Sequence, residues 1–281
     1  MTTMLTRRSV LQSLLLVGLG RLAGDRLADL ERKCGGRLGV AILDTSSGIS
    51  LTHRSTERFP MCSTFKLVAA AAVLARVDRK EDSLDRIIPF TKADLLEYAP
   101  VTRPRVGEGG MPLGDLCEAA ITMSDNTASN LMLATFGGPA ALTAYARSIG
   151  DRVTRLDRTE PTLNESTPGD PRDTTSPAAI LGTMKRLLLG DALSSASRER
   201  LTAWLVATKT GNARVRAGVP RGWRVGDKTG TGSHGSTNDI AIVLPPGRAP
   251  ILIAAFITQT TAKTAVCEAV LADIGRTATS R

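Results

Sequence analysis

Segments that predict β-strands lie at the two ends of this chain, and segments that predict helices lie between them. The strand predictions fall on short apolar runs bounded by turn residues, at residues 38–43, 49–53, 223–228, 239–244 and 251–258. Helical patterning covers about residues 62–208, and a last helix is predicted at 262–276. A sheet built from strands at both ends must bring those ends together, so this order predicts an α+β fold with a helical insertion.

This order also predicts the domain organisation. An antiparallel sheet domain flanked by helices is expected from residues 25–61 and 209–281, and an all-helical domain from residues 62–208. A chain of 281 residues suits one domain or two closely packed ones. Functional sites favour interfaces between domains, so the boundary between these two parts is where we expect the chemistry.

The N-terminus has the pattern of an export signal. Arg7 and Arg8 precede a short apolar stretch at residues 14–19, which resembles a twin-arginine signal and is too short to predict a membrane span. We therefore expect residues 1–24, with a loosely placed boundary, to direct export to the periplasm or the medium, leaving no membrane segment. The alternative is a frayed basic tail. Removing Arg7, Arg8 and Arg21 would lower the net charge from +9 to +6.

Composition excludes several classes of function. The basic residues are scattered and aromatic residues make up 3% of the chain, which argues against nucleic-acid binding and leaves the positive charge to attract a small anionic substrate. The chain has two histidines, so a His-rich zinc site is excluded and a Ser-His-Asp triad is improbable. A G-x-G-x-x-G match at residues 230–235 precedes a predicted strand rather than a helix, which argues against a dinucleotide site. No metal or cofactor is expected.

The segment that begins at Ser63 carries a chemical argument. Residues 65–74 form an Ala-rich apolar run that predicts a buried helix. Residues three apart share a helix face, so Lys66 can bring its amine to the Ser63 hydroxyl. A lysine can activate a serine only if burial or neighbouring charges lower its pKa. The alternative for this motif alone is a helix-capping serine followed by a surface lysine.

Three further motifs follow in order along the chain. Ser124-Asp125-Asn126 separates two apolar helical stretches, which predicts a loop between helices. Residues 158–173 contain Glu160, Asn164, three prolines and a glycine, a length and composition typical of an Ω-loop. Lys228-Thr229-Gly230 lies on a predicted strand. Together with Ser63-Thr64-Phe65-Lys66, this ordered set resembles the class A serine β-lactamases, and the likeness runs over about residues 26–276.

The resemblance implies a catalytic role for each motif. Ser63 would attack the lactam carbonyl, with Lys66, or Glu160 acting through a water, as its base. Ser124 would pass a proton to the leaving nitrogen. Glu160 and Asn164 would hold the water that hydrolyses the acyl-enzyme.

The resemblance also implies binding residues. Asn126 would bond the substrate's side-chain amide, while Lys228, Thr229 and Thr231 would donate to its carboxylate. Gly230 would let the backbone approach the ligand closely.

Two further positions and the oxyanion hole come from the same resemblance. Arg214 matches a second carboxylate-binding cation, with an unrelated surface arginine as the alternative. Tyr98 matches an aromatic gate residue, with a half-buried structural tyrosine as the alternative. The backbone N–H groups of Ser63 and Thr231 would form the oxyanion hole.

Relatives also suggest structural details. An ion pair between Arg158 and Asp173 would close the Ω-loop, and the Glu160–Pro161 peptide would be cis. Cys117 would be a free buried thiol, because the position of its usual partner holds Ala70.

A carbapenem-hydrolysing branch of the family pairs a cysteine at the position of Cys62 with another at the position of Gly232. The second cysteine is absent here, so efficient carbapenem hydrolysis is not expected.

Three functions compete at this point. The first is hydrolysis of a β-lactam by a monomeric enzyme. The second is a penicillin-binding D,D-peptidase, which shares three of the motifs, lacks the glutamate loop and stays acylated. The third is a non-catalytic β-lactam sensor, which would normally need a membrane link.

Overall fold

The computed structural model describes residues 25–280, so the predicted export signal lies outside the described residues. The helices are α1 (residues 25–34), α2 (Phe65–Asp78), α3 (Leu113–Thr122), α4 (Asn126–Ala134), α5 (Gly138–Ser148), α6 (Pro177–Leu188), α7 (Ser195–Val206) and α8 (Thr264–Thr279). The strands are β1 (Arg37–Asp44), β2 (Ser50–His53), β3 (Phe59–Pro60), β4 (Ile87–Ile88), β5 (Met111–Pro112), β6 (Thr174–Thr175), β7 (Arg224–Thr231), β8 (Thr237–Leu244) and β9 (Ile251–Thr258). Within residues 25–280, no helix is long and apolar enough to cross a bilayer.

The two ends of the chain meet in one antiparallel sheet, which confirms the predicted α+β class. Its strand order is β2-β1-β9-β8-β7. Strand β1 pairs with β9 along its whole length, from Arg37 opposite Thr258 to Asp44 opposite Ile251. The strands predicted at residues 38–43 and 49–53 are also present, as β1 and β2, and they pair as an antiparallel hairpin.

The sheet is covered on both faces, which explains why its central strands are continuously apolar. Every residue of β9 is buried. Its side chains alternate between two cores: Leu252 packs with the helical part of the molecule, while Ile251 and Ile253 pack with residues of α1 and α8. The result is a three-layer arrangement with the sheet in the middle.

Helix α2 forms the centre of the helical part. All its residues from Phe65 to Ala75 are buried, including Lys66. Seven of the eleven are alanine or valine, and small side chains allow neighbouring helices to approach from several sides. Helix α6 is capped by Ser176, whose hydroxyl accepts from the backbone N–H of Ala179.

The region predicted to be all helical also contains short strands. Strand β4 pairs with β5, and β6 pairs with β3. Two-residue strands have no periodic pattern that a sequence could reveal. The last helix, predicted at 262–276, is found at Thr264–Thr279.

Candidate active site

Ser63 lies in a 3₁₀ turn, Cys62–Thr64, that leads directly into α2. Cys62 has a left-handed backbone with φ of 46°, which turns the chain sharply just before the serine. The turn is fixed by the Thr64 hydroxyl, which donates to the Met61 carbonyl at 2.8 Å. Ser63 is therefore placed near the N-terminal end of a buried helix, as predicted.

Lys66 is fully buried one turn further along. Its Nζ donates to the Ser124 carbonyl at 2.9 Å and to Asn126 Oδ1 at 2.7 Å, and it lies 3.0 Å from Glu160 Oε1. Burial lowers the pKa of this lysine, while the carboxylate of Glu160 acts in the opposite direction. Burial therefore favours the neutral amine, which is the form of the lysine that can act as a base.

The Ser63 hydroxyl donates to Glu160 Oε1 at 3.1 Å. The same oxygen lies 3.0 Å from Lys66 Nζ. The sequence predicts the lysine amine itself at the hydroxyl, but in the structure both groups contact the Glu160 carboxylate. A buried ammonium gains more from a carboxylate than from a neutral hydroxyl, which accounts for the difference.

Glu160 is held by two asparagines. Asn130 Oδ1 accepts from the Glu160 N–H at 3.0 Å, and Asn130 Nδ2 donates to the Glu160 carbonyl at 2.9 Å. Asn164 Nδ2 donates to Glu160 Oε2 at 2.5 Å. Sequence reasoning missed Asn130. A signal was available, because Asn130 lies four residues after Asn126 and therefore on the same face of α4.

The Ω-loop is closed as expected. Arg158 Nε donates to Asp173 Oδ2 at 2.6 Å, and the N–H groups of Asp157 and Arg158 donate to Asp173 Oδ1 at 2.8 and 2.9 Å. The Glu160–Pro161 peptide is cis. The loop that carries Glu160 and Asn164 is thus tied at its base.

Ser124 and Asp125 lie between α3 and α4 as predicted, and Asn126 is the first residue of α4. Asp125 caps α4 through the Ala128 N–H at 2.8 Å and accepts from the N–H groups of Val101 and Thr102, each at 2.9 Å. Ser124 has a φ of 57°. Its hydroxyl accepts from both buried lysines, at 3.3 Å from Lys66 Nζ and 3.0 Å from Lys228 Nζ.

Strand β7 supplies the Lys228-Thr229-Gly230 motif. Burial lowers the pKa of Lys228 well below its usual value, and the nearby charge of Lys66 adds to this effect. Gly230 is needed for a reason that differs from the expected one. A Cβ on this residue would lie 2.7 Å from the Met61 carbonyl, so the glycine lets β7 approach the nucleophile turn itself.

The motifs meet at a cavity of about 280 Å³. Its lining consists of Ser63, Tyr98, Ser124, Asn126, Asn164, Thr210, Arg214, Thr229 and Thr231. Lys66, Glu160 and Lys228 are buried directly behind these residues. Tyr98 is 48% exposed and borders the cavity. Thr210 was missed because a threonine in a loop gives no sequence signal; its Oγ1 lies 2.6 Å from Thr229 Oγ1.

Arg214 is buried beside this cavity, so the surface-arginine alternative is wrong. Its Nη1 donates to the carbonyls of Gly230 and Asn238 at 3.0 and 2.8 Å. Its Nη2 donates to Thr231 Oγ1 at 2.8 Å. Since a guanidinium can only donate, the Thr231 hydroxyl must accept from it, and its own proton is free for a ligand.

All four cysteines are free and buried, which confirms the prediction for Cys117. Cys62 is close to Gly232, where an added Cβ would lie 2.7 Å from the Cys62 sulfur. Burial raises the pKa of Cys62 to about 12, so its thiol stays protonated at neutral pH.

Comparison with known proteins gives one consistent answer. The profile of the Beta-lactamase enzyme family matches residues 23–281. Beta-lactamase AST-1 of Nocardia asteroides is 49% identical over 255 residues, which cover 91% of this chain and 82% of the relative. Beta-lactamase CTX-M-8 of Citrobacter amalonaticus is 49% identical over 235 residues, covering 84% of this chain and 80% of the relative.

Solved structures agree with the sequence relatives. An ancestral class A β-lactamase superposes with a TM-score of 0.89 at 61% identity, covering 91% of this chain and 98% of that one. A putative class A β-lactamase, PenP from Rhodopseudomonas palustris, superposes with a TM-score of 0.89 at 55% identity, with 91% and 98% covered. The ordered motifs, the fold that joins them around one cavity and these likenesses lead to the same conclusion: this chain belongs to the class A serine β-lactamases.

Proposed function

We propose that this enzyme opens the β-lactam ring of penicillins and cephalosporins through an acyl-enzyme on Ser63 and thereby confers antibiotic resistance. One observation carries the mechanism: the Ser63 hydroxyl and the Lys66 amine both contact Glu160 Oε1, at 3.1 and 3.0 Å. A nucleophile and two potential bases are therefore within proton-transfer distance before any substrate arrives.

In acylation, the Ser63 proton leaves as its oxygen attacks the lactam carbonyl. Glu160 is the base in direct contact with this hydroxyl, and Lys66 is one contact further away. Ser124 lies between Lys66 and the cavity, so its hydroxyl can pass a proton from the lysine to the lactam nitrogen. The backbone N–H groups of Ser63 and Thr231 stabilise the developing oxyanion.

In deacylation, Glu160 and Asn164 position a water against the acyl carbonyl. Support comes from the 2.5 Å contact of Asn164 Nδ2 with Glu160 Oε2 and from the buried Asn164 Oδ1, which has no hydrogen-bond partner in the described chain. An amide oxygen without a partner at this place can accept from that water. Glu160 takes a proton from the water as the water oxygen attacks the acyl carbonyl. The bond between Ser63 Oγ and the acyl carbon then breaks, and the proton passes from Glu160 to Ser63 Oγ, which it contacts at 3.1 Å.

The positive charges and hydroxyl groups at the cavity bind the anionic substrate. Lys228, Thr229 and Thr231 receive the substrate carboxylate, and Arg214 supports them by orienting the Thr231 hydroxyl. Asn126 bonds the side-chain amide, and Tyr98 covers the ring from the cavity border. Gly230 contributes through the close approach of β7 to Ser63.

We further propose that residues 1–24 are a twin-arginine export signal, that the enzyme is periplasmic or secreted, and that it is a monomer. We also propose that the chain is divided into a sheet domain (25–61 and 209–281) and a helical domain (62–208).

The test is mass spectrometry of the protein mixed with benzylpenicillin, alongside loss of the lactam absorbance. Wild type is expected to turn over with little retained adduct. Glu160→Gln should retain an adduct on Ser63 and turn over roughly 10²–10⁴ times more slowly, the usual contribution of a general base. Ser63→Ala should give no adduct. A stable adduct on the wild-type protein without turnover would instead support a penicillin-binding peptidase or a sensor.

A further inference from the structure

A second cavity, separate from the substrate cavity, is lined by the Ω-loop and by residues of the neighbouring strands. Its volume is about 330 Å³, and its charged lining residues are Arg37, Arg58, Arg158, Arg172, Glu57 and Asp170. Four guanidinium groups and two carboxylates line it, and two further carboxylates, Asp173 and Glu165, pair with Arg158 from outside the lining. Three prolines also line the cavity.

Three of these arginines have acidic partners. Arg37 bonds Glu57 at 2.7 Å and stacks over the Phe59 ring. Arg172 bonds Asp170 at 2.7 Å, and Arg158 bonds Asp173 and Glu165.

Arg58 differs from the other three. Its Nη1 donates to the carbonyl of Val153 at 2.9 Å and to the hydroxyl of Thr174 at 3.0 Å, and both acceptors are neutral. In the part of the chain that the structure describes, no carboxylate lies within ion-pairing distance of it. Arg58 therefore contributes a positive charge to this cavity that no anion of the protein neutralises.

We propose that this cavity is a binding site for a small oxyanion with two or more negative charges, and that its occupancy stabilises the Ω-loop. A guanidinium fork matches the geometry of phosphate and carboxylate oxygens. An ion bound by both Arg58 and Arg172 would link two separate segments of the chain. Arg58 precedes the edge strand β3, while Arg172 belongs to the Ω-loop.

Ser166 connects this cavity to the part of the Ω-loop that carries Glu160 and Asn164. This residue lines the cavity, and its hydroxyl donates to the Asn164 carbonyl at 3.3 Å. The side chain of Asn164 in turn holds Glu160 at 2.5 Å. An anion that holds residues 166–172 of the Ω-loop in place would therefore restrict the motion of Glu160 and Asn164, which position the deacylating water. This coupling rests on the proposed role of Glu160, whereas the binding of the anion does not.

Thermal unfolding with increasing inorganic phosphate, at constant ionic strength set with sodium chloride, tests the binding. We expect a saturable rise in Tm of about 3 °C or more in wild type. Arg58→Gln should abolish the rise, and Arg172→Gln should reduce it. Arg155→Gln is the matched control, because Arg155 forms a similar pair with an aspartate two residues away and does not line the cavity. It should respond like wild type.

A rise that grows without saturation and is equal in Arg58→Gln would reflect a bulk effect of phosphate and would overturn the site. No rise in wild type with either phosphate or citrate would also overturn it. A response to citrate alone would identify a polycarboxylate as the ligand. If Arg58→Gln fails to fold, Arg58→Lys keeps the charge and removes the fork, and should weaken binding.

Amide hydrogen exchange of residues 158–173 tests the coupling. Bound phosphate should slow exchange in this loop and change the decay rate of the Ser63 adduct. Binding with unchanged exchange and decay would overturn the coupling. If the enzyme forms no adduct at all, the proposed function fails, and the Tm titration still decides the anion site.

Discussion

At the scale of single residues, the site depends on buried charges that are only partly compensated. Lys66 and Lys228 are both completely buried, and both contact the Ser124 hydroxyl. Behind them lie two buried aspartates, Asp227 and Asp239, each of which has one oxygen without a hydrogen-bond partner in the described chain. Burial disfavours the charged form of all four groups and raises the pKa of both aspartates, so charge in this cluster is costly.

Asp239 gives a prediction about stability and pH. Burial raises the pKa of Asp239 well above its usual value, and the neighbouring charge of Asp227 adds to this. A carboxyl group with a raised folded pKa contributes stability that is present below its unfolded pKa and is lost as pH rises through the folded one. Asp239→Asn lacks this loss. The difference between its free energy of unfolding and that of wild type should therefore increase in the variant's favour as the pH rises above about 4, the usual pKa of an aspartate.

Urea unfolding at several pH values measures this difference. Asp191→Asn, a change at an exposed aspartate, is the control and should follow wild type at every pH. A constant difference between Asp239→Asn and wild type across the range would contradict the assignment.

At the scale of secondary-structure elements, the site exists because β7 lies against the turn that begins α2. Gly230 makes this possible, since any side chain there would meet the Met61 backbone at 2.7 Å. Backbone cannot move aside as a flexible side chain can. The distance between the strand that binds the substrate and the serine that attacks it is therefore set by one residue.

Gly230→Ala tests this spacing. We expect kcat/KM for benzylpenicillin to fall by about 10²-fold or more, because displacing the strand by an ångström misaligns the reacting groups. Gly182→Ala makes the same chemical change in α6, where an added Cβ meets nothing within 4 Å. It should leave kcat/KM unchanged and raise the free energy of unfolding by about 0.5–1 kcal/mol. Equal activity of the two variants would show that the strand tolerates the displacement.

The elements were largely predictable from the sequence, and the contacts between them were not. Apolar runs indicated β1, β7, β8 and β9, because buried strands leave an uninterrupted pattern. The position of Glu160 between Ser63 and Lys66 was not predictable, since it depends on how a loop about a hundred residues later folds back over α2. Thr210 was missed because its role comes from a neighbour in space. Asn130 was missed although its position one helical turn after Asn126 was a signal in the sequence.

At the scale of the whole molecule, the chain stabilises itself without covalent cross-links between its layers. All four cysteines are buried in the described structure and none is bonded to another. Two of them, Cys34 and Cys267, belong to the core on the side of α1 and α8, and Cys117 belongs to the core of the helical part. Each behaves as a small apolar side chain.

A thiol titration tests this. The native enzyme should react slowly with a disulfide reagent, because its thiols are buried and burial raises the pKa of Cys62 to about 12. The denatured enzyme should yield four thiols per chain, and a reducing agent should leave Tm unchanged. Fewer than four thiols after denaturation, or a Tm that falls on reduction, would reveal a disulfide.

The pairing of β1 with β9 also has a consequence for the order of events during synthesis. Roughly 200 residues separate the two strands, which corresponds to a delay of roughly 10–40 s at ordinary rates of translation. For that time the edge of β1 that pairs with β9 has no partner, and the sequence of the helical part, residues 62–208, is complete before β9 is made. We expect the helical part to assemble first and the sheet to close last. The site, which needs β7 beside α2, would become competent only as the final strands leave the ribosome.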